Sequence, residues 1–139
     1  MLDHNSWEKS VAKVEPLRKQ IMEAILKDER FNASIPNENR DNLLSVEIKN
    51  IVFDLIFSLS DFYINAELNL FSLGFLGHNS YITIFKGDYD LYDGNVKRIV
   101  DDLYFELSKE AQHTKKYLKE LIKDCKRALK LKVNDKQNC

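Results

Sequence analysis

The sequence predicts an α+β protein dominated by helices: two N-terminal helices, a small antiparallel β-meander or hairpin, and a long C-terminal helix across it. Three observations carry this. Apolar residues recur at three-or-four spacing through residues 7–25 and again through 96–129. A β-branched and aromatic run, Tyr81-Ile82-Thr83-Ile84-Phe85, lies between them. Gly and Pro number only four and two, too few for a loop-rich barrel. An all-α bundle with a hairpin insertion is the alternative.

The first helix is expected over residues 6–31. Asn5 followed by Glu8 has the spacing of a capping box, and Trp7, Val11, Val14, Leu17, Ile21, Met22 and Ile25 form its stripe. Pro16 should kink it or restart it. Residues 32–42, with Pro36 and several Asn, read as a loop.

A second helix is expected from about Asp41. Leu44, Ile48, Val52, Leu55 and Leu59 make one stripe, and Ile51, Phe53, Ile56 and Phe57 leave it apolar nearly all round, as in a helix at the centre of a core. Glu47, Asp54 and Asp61 would share its polar edge. Residues 62–72 satisfy both periods, and the strict alternation from Ile64 to Leu70 favours a strand ending in the Gly74-Phe75-Leu76-Gly77 turn. Lys86-Gly87-Asp88 then reads as a tight hairpin turn with Tyr89-Asp90-Leu91-Tyr92 returning, closed by Asp93-Gly94-Asn95.

The last helix has the clearest pattern. Val96, Val100, Leu103, Leu107, Ala111, Thr114, Leu118, Leu121, Cys125 and Leu129 keep helical spacing over about 50 Å at 1.5 Å per residue. A helix that long overhangs a small domain or packs on a second copy. One domain spanning 1–139 is expected, with flexible ends near 1–5 and 133–139.

Charge is segregated although the total is only −1. Residues 28–108 hold fourteen Asp and Glu against six Lys and Arg, whereas residues 109–139 hold ten basic and four acidic side chains. Such a chain pairs with itself or presents two surfaces to something else. The first ten residues have no apolar core for a signal peptide. Asp54, Asp61 and Glu67 argue against a span in the greasy stretch 51–77, each costing about 2.5 to 3.5 kcal/mol at a bilayer centre. Two cysteines, Cys125 on an apolar stripe and Cys139 at the end, make no disulfide framework, so a cytoplasmic location is expected.

Two surfaces are candidate sites. Tyr81, Asp88, Tyr89, Asp90, Tyr92 and Asp93 combine stiff aromatic contact area with carboxylates, suited to a basic partner surface. The plain counterpart is an edge hairpin whose tyrosines pack inward. Lys115, Lys119, Lys123, Lys126, Arg127 and Lys130, with Lys116 alongside, form a cationic ridge that could follow a phosphate backbone or cover an acidic partner. Its plain counterpart is a solvated helix face.

No pattern specifies a reaction. Asp88-x-Asp90 opens like a calcium loop, but Tyr92, Gly94 and Ile99 break the match. His4, His78 and His113 have no metal-site spacing, and no Ser or Cys has a local nucleophile signature. No cofactor, metal, membrane partner or catalysis is expected. The functional expectation is a small protein that binds and blocks or regulates another protein, as immunity proteins and phage-encoded inhibitors do. A nucleic-acid-binding or scaffolding subunit using the basic helix is the alternative, and an enzyme with a site assembled from scattered residues the second. Homodimerisation stays open.

Overall fold

In the computed structural model, residues 4–69 and 83–137 are described. Helix α1 (His4–Lys27) leads into a four-stranded antiparallel sheet of β1 (Leu43–Ile48), β2 (Ile51–Phe57), β3 (Tyr63–Leu68) and β4 (Thr83–Asp88), and helix α2 (Val96–Gln137) follows. The strands pair in chain order, β1-β2-β3-β4. The α+β mixture, the antiparallel sheet and the long last helix agree with expectation, but the described residues hold two α-helices and not three.

The expected second helix is instead the hairpin β1–β2. Lys49 and Asn50 form its two-residue turn, with φ of 54° and 68°, both left-handed as a type I′ turn demands. The register runs from Ile48↔Ile51 to Leu43↔Ile56. Within each strand burial alternates, so Leu44, Val46, Ile48, Ile51, Phe53, Leu55 and Phe57 all lie on the buried face. Glu47, Asp54 and Asp61 share no helical edge: the first two point off opposite strands and the third lies in the β2–β3 connection.

Asn42 fastens the open end of this hairpin. Its backbone carbonyl accepts from the Phe57 amide (2.8 Å), and its side chain donates to the Phe57 carbonyl (3.0 Å). Ser34 exchanges two backbone bonds with Ser45, of 2.8 and 2.9 Å, covering part of the free edge of β1.

The strand expected over 62–72 is confirmed as β3 for residues 63–68. Beyond it the hairpin turn is corrected: Gly87 and Asp88 continue β4, and Tyr89–Tyr92 is a 3-10 turn, not a returning strand. Asp88 caps that turn by accepting from the Asp90 amide (3.1 Å), and Asp93 ends it at φ 52°. The Asp-x-Asp spacing is thus an Asx cap. The Gly74–Gly77 turn, Tyr81, His78 and Cys139 lie outside the described residues.

Helix α1 begins one residue before Asn5, so Asn5 is helical and not a cap, and Pro16 sits inside one continuous helix. It ends at Lys27, earlier than expected, and a short 3-10 turn over Glu29–Phe31 takes the last residues. Val14, Ile21 and Ile25 of α1, Phe31, and Ile99, Val100, Leu103, Leu107 and Ala111 of α2 join the sheet's buried face in one apolar core. No helix among the described residues is long and apolar enough to cross a membrane.

Two arginines tie the helices down. Arg18, only 2% exposed, donates to the Asp41 carbonyl (2.7 Å) and lies 3.6 Å from its carboxylate, joining α1 to the loop before β1. Arg30 grips Asp28 with two nitrogens and reaches Asp101 of α2 at 2.8 Å, its guanidinium 4.7 Å from the Tyr104 ring centroid. These contacts hold the Asp28 carboxyl below its usual range, the Arg30 bond being the main cause.

Candidate interaction surfaces

The acidic, Tyr-rich segment divides on folding. Tyr89 is 1% exposed, packed edge-on against Phe62, and its hydroxyl faces the Asp61 carbonyl at 3.4 Å. Burial pushes its phenol up to about 12. A side chain held this way belongs to the core, as in the plain reading of the segment in which its tyrosines pack inward. Tyr92 is half-buried: the Asp102 carboxylate beside its phenol, together with burial, raises its pKa, and Arg98 lies over its ring at 5.5 Å. Asp88 is committed to its cap. Asp90, Leu91 and Asp93 remain on the surface, Leu91 being 80% exposed. Asp61, Asp88 and Asp90 flank a shallow groove floored by Phe62, Tyr63 and Gly87. The five described residues of the group that the sequence suggests are therefore divided between core and surface.

The basic ridge stays together, because one helix carries it. Lys116, Lys119, Lys123, Lys126, Arg127 and Lys130 are exposed and Lys115 is half-exposed. The fold adds a member the sequence pattern could not supply: Lys49, at the β1–β2 turn, lines one groove with Lys109, Gln112, His113, Lys115, Lys116 and Lys119. The left-handed turn between β1 and β2 holds Lys49 there, next to helix positions sixty or more residues later. None of these lysines has an ion-pair partner among the described residues.

Beside the ridge runs an apolar stripe that is exposed beyond Leu118. At 100° per residue, Leu118, Leu121, Ile122, Cys125 and Leu129 fall within about 100° of arc, the same arc that buries Val100, Leu103, Leu107 and Ala111. Leu118 still packs against the edge of the core. Ile122 and Leu129 are 54% and 64% exposed, and the Cys125 thiol is free and exposed rather than covered. Lys115, Lys119, Lys126 and Lys130 border one side of the stripe; Tyr117, Asp124 and Ala128 border the other.

The outer face of the sheet brings two carboxylates together. Asp54 pairs in register with Ser45 on one side and Glu67 on the other. Burial raises the Asp54 pKa, and a long bond from the Asn69 side chain (3.4 Å) offsets part of that. Among the described residues no group of three or more His, Cys, Asp or Glu is placed to hold a metal ion. His113 lines the lysine groove and not a site with Asp54 or Asp61.

Sequence reasoning missed Arg18 and Lys49. Arg18 lies one residue past Leu17 on the apolar side of α1, a position that a helical wheel does mark. Comparison with protein-family models, with curated proteins and with solved structures finds no match for this chain.

Proposed function

We propose that this chain is a protein-binding protein that blocks or regulates a partner, of the immunity-protein or phage-inhibitor kind, and that it docks through the distal half of α2. The observation that carries this is the exposed continuation of a core stripe: Leu121, Ile122, Cys125 and Leu129 occupy the helix face that is buried in the proximal half. An ordered apolar face rimmed by charge is the signature of a surface that meets another macromolecule. An exposed thiol is at home in a reducing cytoplasm, which supports that location for the complex.

The test is site-specific photo-crosslinking in the native lysate after nuclease treatment. A crosslinker at Ile122 is expected to give one discrete protein adduct, and one at Glu38 none. Loss of the adduct on nuclease treatment would overturn the reading.

A second reading, nucleic-acid binding by the lysine ridge, is favoured by the groove that adds Lys49 to the helix cations. It predicts affinity falling steeply with salt and no dependence on Ile122.

A further inference from the structure

The distal face of α2 has a definite chemistry: about three helical turns of apolar stripe, with four lysines on one border and a lysine groove at its root. A complementary occupant must supply an apolar seam and, along one side of it, negative charge. We infer that the occupant is an amphipathic helix of a partner protein whose apolar seam is flanked by Asp and Glu, lying along residues 118–129 with its acidic flank over the lysines. This rests on the reading of the distal half as a docking surface and adds the chemistry of what docks.

Charge geometry separates this occupant from the others. In an antiparallel pair of these helices a two-fold axis sets the same border of each copy face to face, so lysine meets lysine. A parallel pair sets Lys115, Lys119, Lys126 and Lys130 opposite Tyr117, Asp124 and Ala128, a single carboxylate for four cations. A nucleic-acid backbone satisfies the lysines but leaves Ile122 and Leu129 in water. A helix lying in an anionic membrane surface carries cations on both borders of its apolar face, whereas here one border is cationic and the other bears Asp124. An acidic amphipathic helix satisfies both the stripe and its lopsided border.

The experiment uses the full chain and fluorescence anisotropy with two designed amphipathic peptides of equal length and the same leucine seam. One carries Glu on the flanks and the other Lys. The Glu peptide is expected to bind at least tenfold more tightly. That binding should fall at least tenfold in Ile122→Asp and in the separate double variant Lys119→Glu with Lys126→Glu, and it should weaken as salt rises. Unchanged circular dichroism and melting temperature certify each variant as folded. Equal affinity for both peptides, or binding untouched by Ile122→Asp, would overturn the inference. So would a sedimenting dimer dissociated by Ile122→Asp with no peptide binding, which assigns the face to a second copy. Binding to duplex DNA or to anionic phosphatidylserine vesicles in place of the Glu peptide overturns it too. If the crosslink at Ile122 captures a protein while the Glu peptide fails to bind, the docking reading stands and only the chemistry assigned here falls.

Discussion

The two halves of α2 follow one sequence pattern and meet opposite fates. From Val96 to Ala111 the stripe is closed over by the sheet and α1, and Leu103, Leu107 and Ala111 are fully buried. Beyond Leu118 the same spacing continues, and Ile122, Cys125 and Leu129 are exposed. Periodicity thus reports that a face is meant to be covered, but not by what. The proximal half is stabilised by burial. The distal half owes its helix to continuity with the proximal one and to local propensity, since an isolated helix of its length is marginal in water.

The largest test of this contrast is a pair of truncations. Leu107→Ala is expected to cost about 2–5 kcal/mol, while Leu129→Ala stays within about 0.5 kcal/mol, both read from urea unfolding at micromolar protein. Equal losses would mean that the distal stripe is covered in the free protein. Tyr89→Ala should resemble the proximal case, at about 3–5 kcal/mol, and Asp90→Ala the distal one. A Tyr89→Ala variant of unchanged stability would return Tyr89 to the surface.

Hydrogen exchange sharpens the contrast without mutation. Amides of residues 121–131 should exchange well before those of 100–111, because only the latter sit in the cooperative core. Uniform protection along α2 would refute the distinction.

Smaller effects come from the charges that seat the proximal half. Asp28 has a lowered pKa when folded, so its pairing with Arg30 stabilises the protein above the ordinary Asp value near ~4 and is lost as pH falls through the lowered one. Asp28→Asn keeps a capping oxygen and removes the charge. It should cost about 1 kcal/mol at pH 7 after solvent screening, with the difference from the parent shrinking as pH falls through the lowered value. Asp54 has the opposite sign. Its raised folded pKa means that ionisation opposes folding, so Asp54→Asn should raise the melting temperature at pH 7 by roughly 1–3 °C, a gain that shrinks as pH falls through the raised folded value and is gone below the ordinary Asp value near ~4. A lower melting temperature would show that the bond from Asn69 outweighs burial.

How much of this was legible in the chain follows from particular residues. The stripe from Val96 was readable because one helix preserves one period. The alternation in 64–68 was readable for the same reason in a strand. The β1–β2 hairpin was not, and the cause is arithmetic. A two-residue turn restarts the alternation, so the buried positions Leu44, Ile48, Ile51 and Leu55 fall at intervals of four, three and four, which imitates a helix. The β-branched content of Val46, Ile48, Ile51, Val52 and Ile56 was the signal that could have decided it. At the candidate site, the lysine ridge was legible as a local pattern, but Lys49 joins it only through folding. The burial of Tyr89 and the cap made by Asp88 were not legible, because composition cannot distinguish a buried ring from a presented one, or a capping carboxylate from a free one.

The Arg30 contact with Asp101 and Tyr104 sits close to the start of a rod whose other end projects about 39 Å past Ala111. Such a rod is a lever. A rotation of about 5° at its seat sweeps the far end by about 3 Å, roughly the tolerance of a side chain fitting its hole. The aim of the distal face is therefore decided at the opposite end of the helix. A shift of that seat, held by the core contacts of Ile99 to Ala111 and by Arg30, would move the distal face without touching a single atom of it.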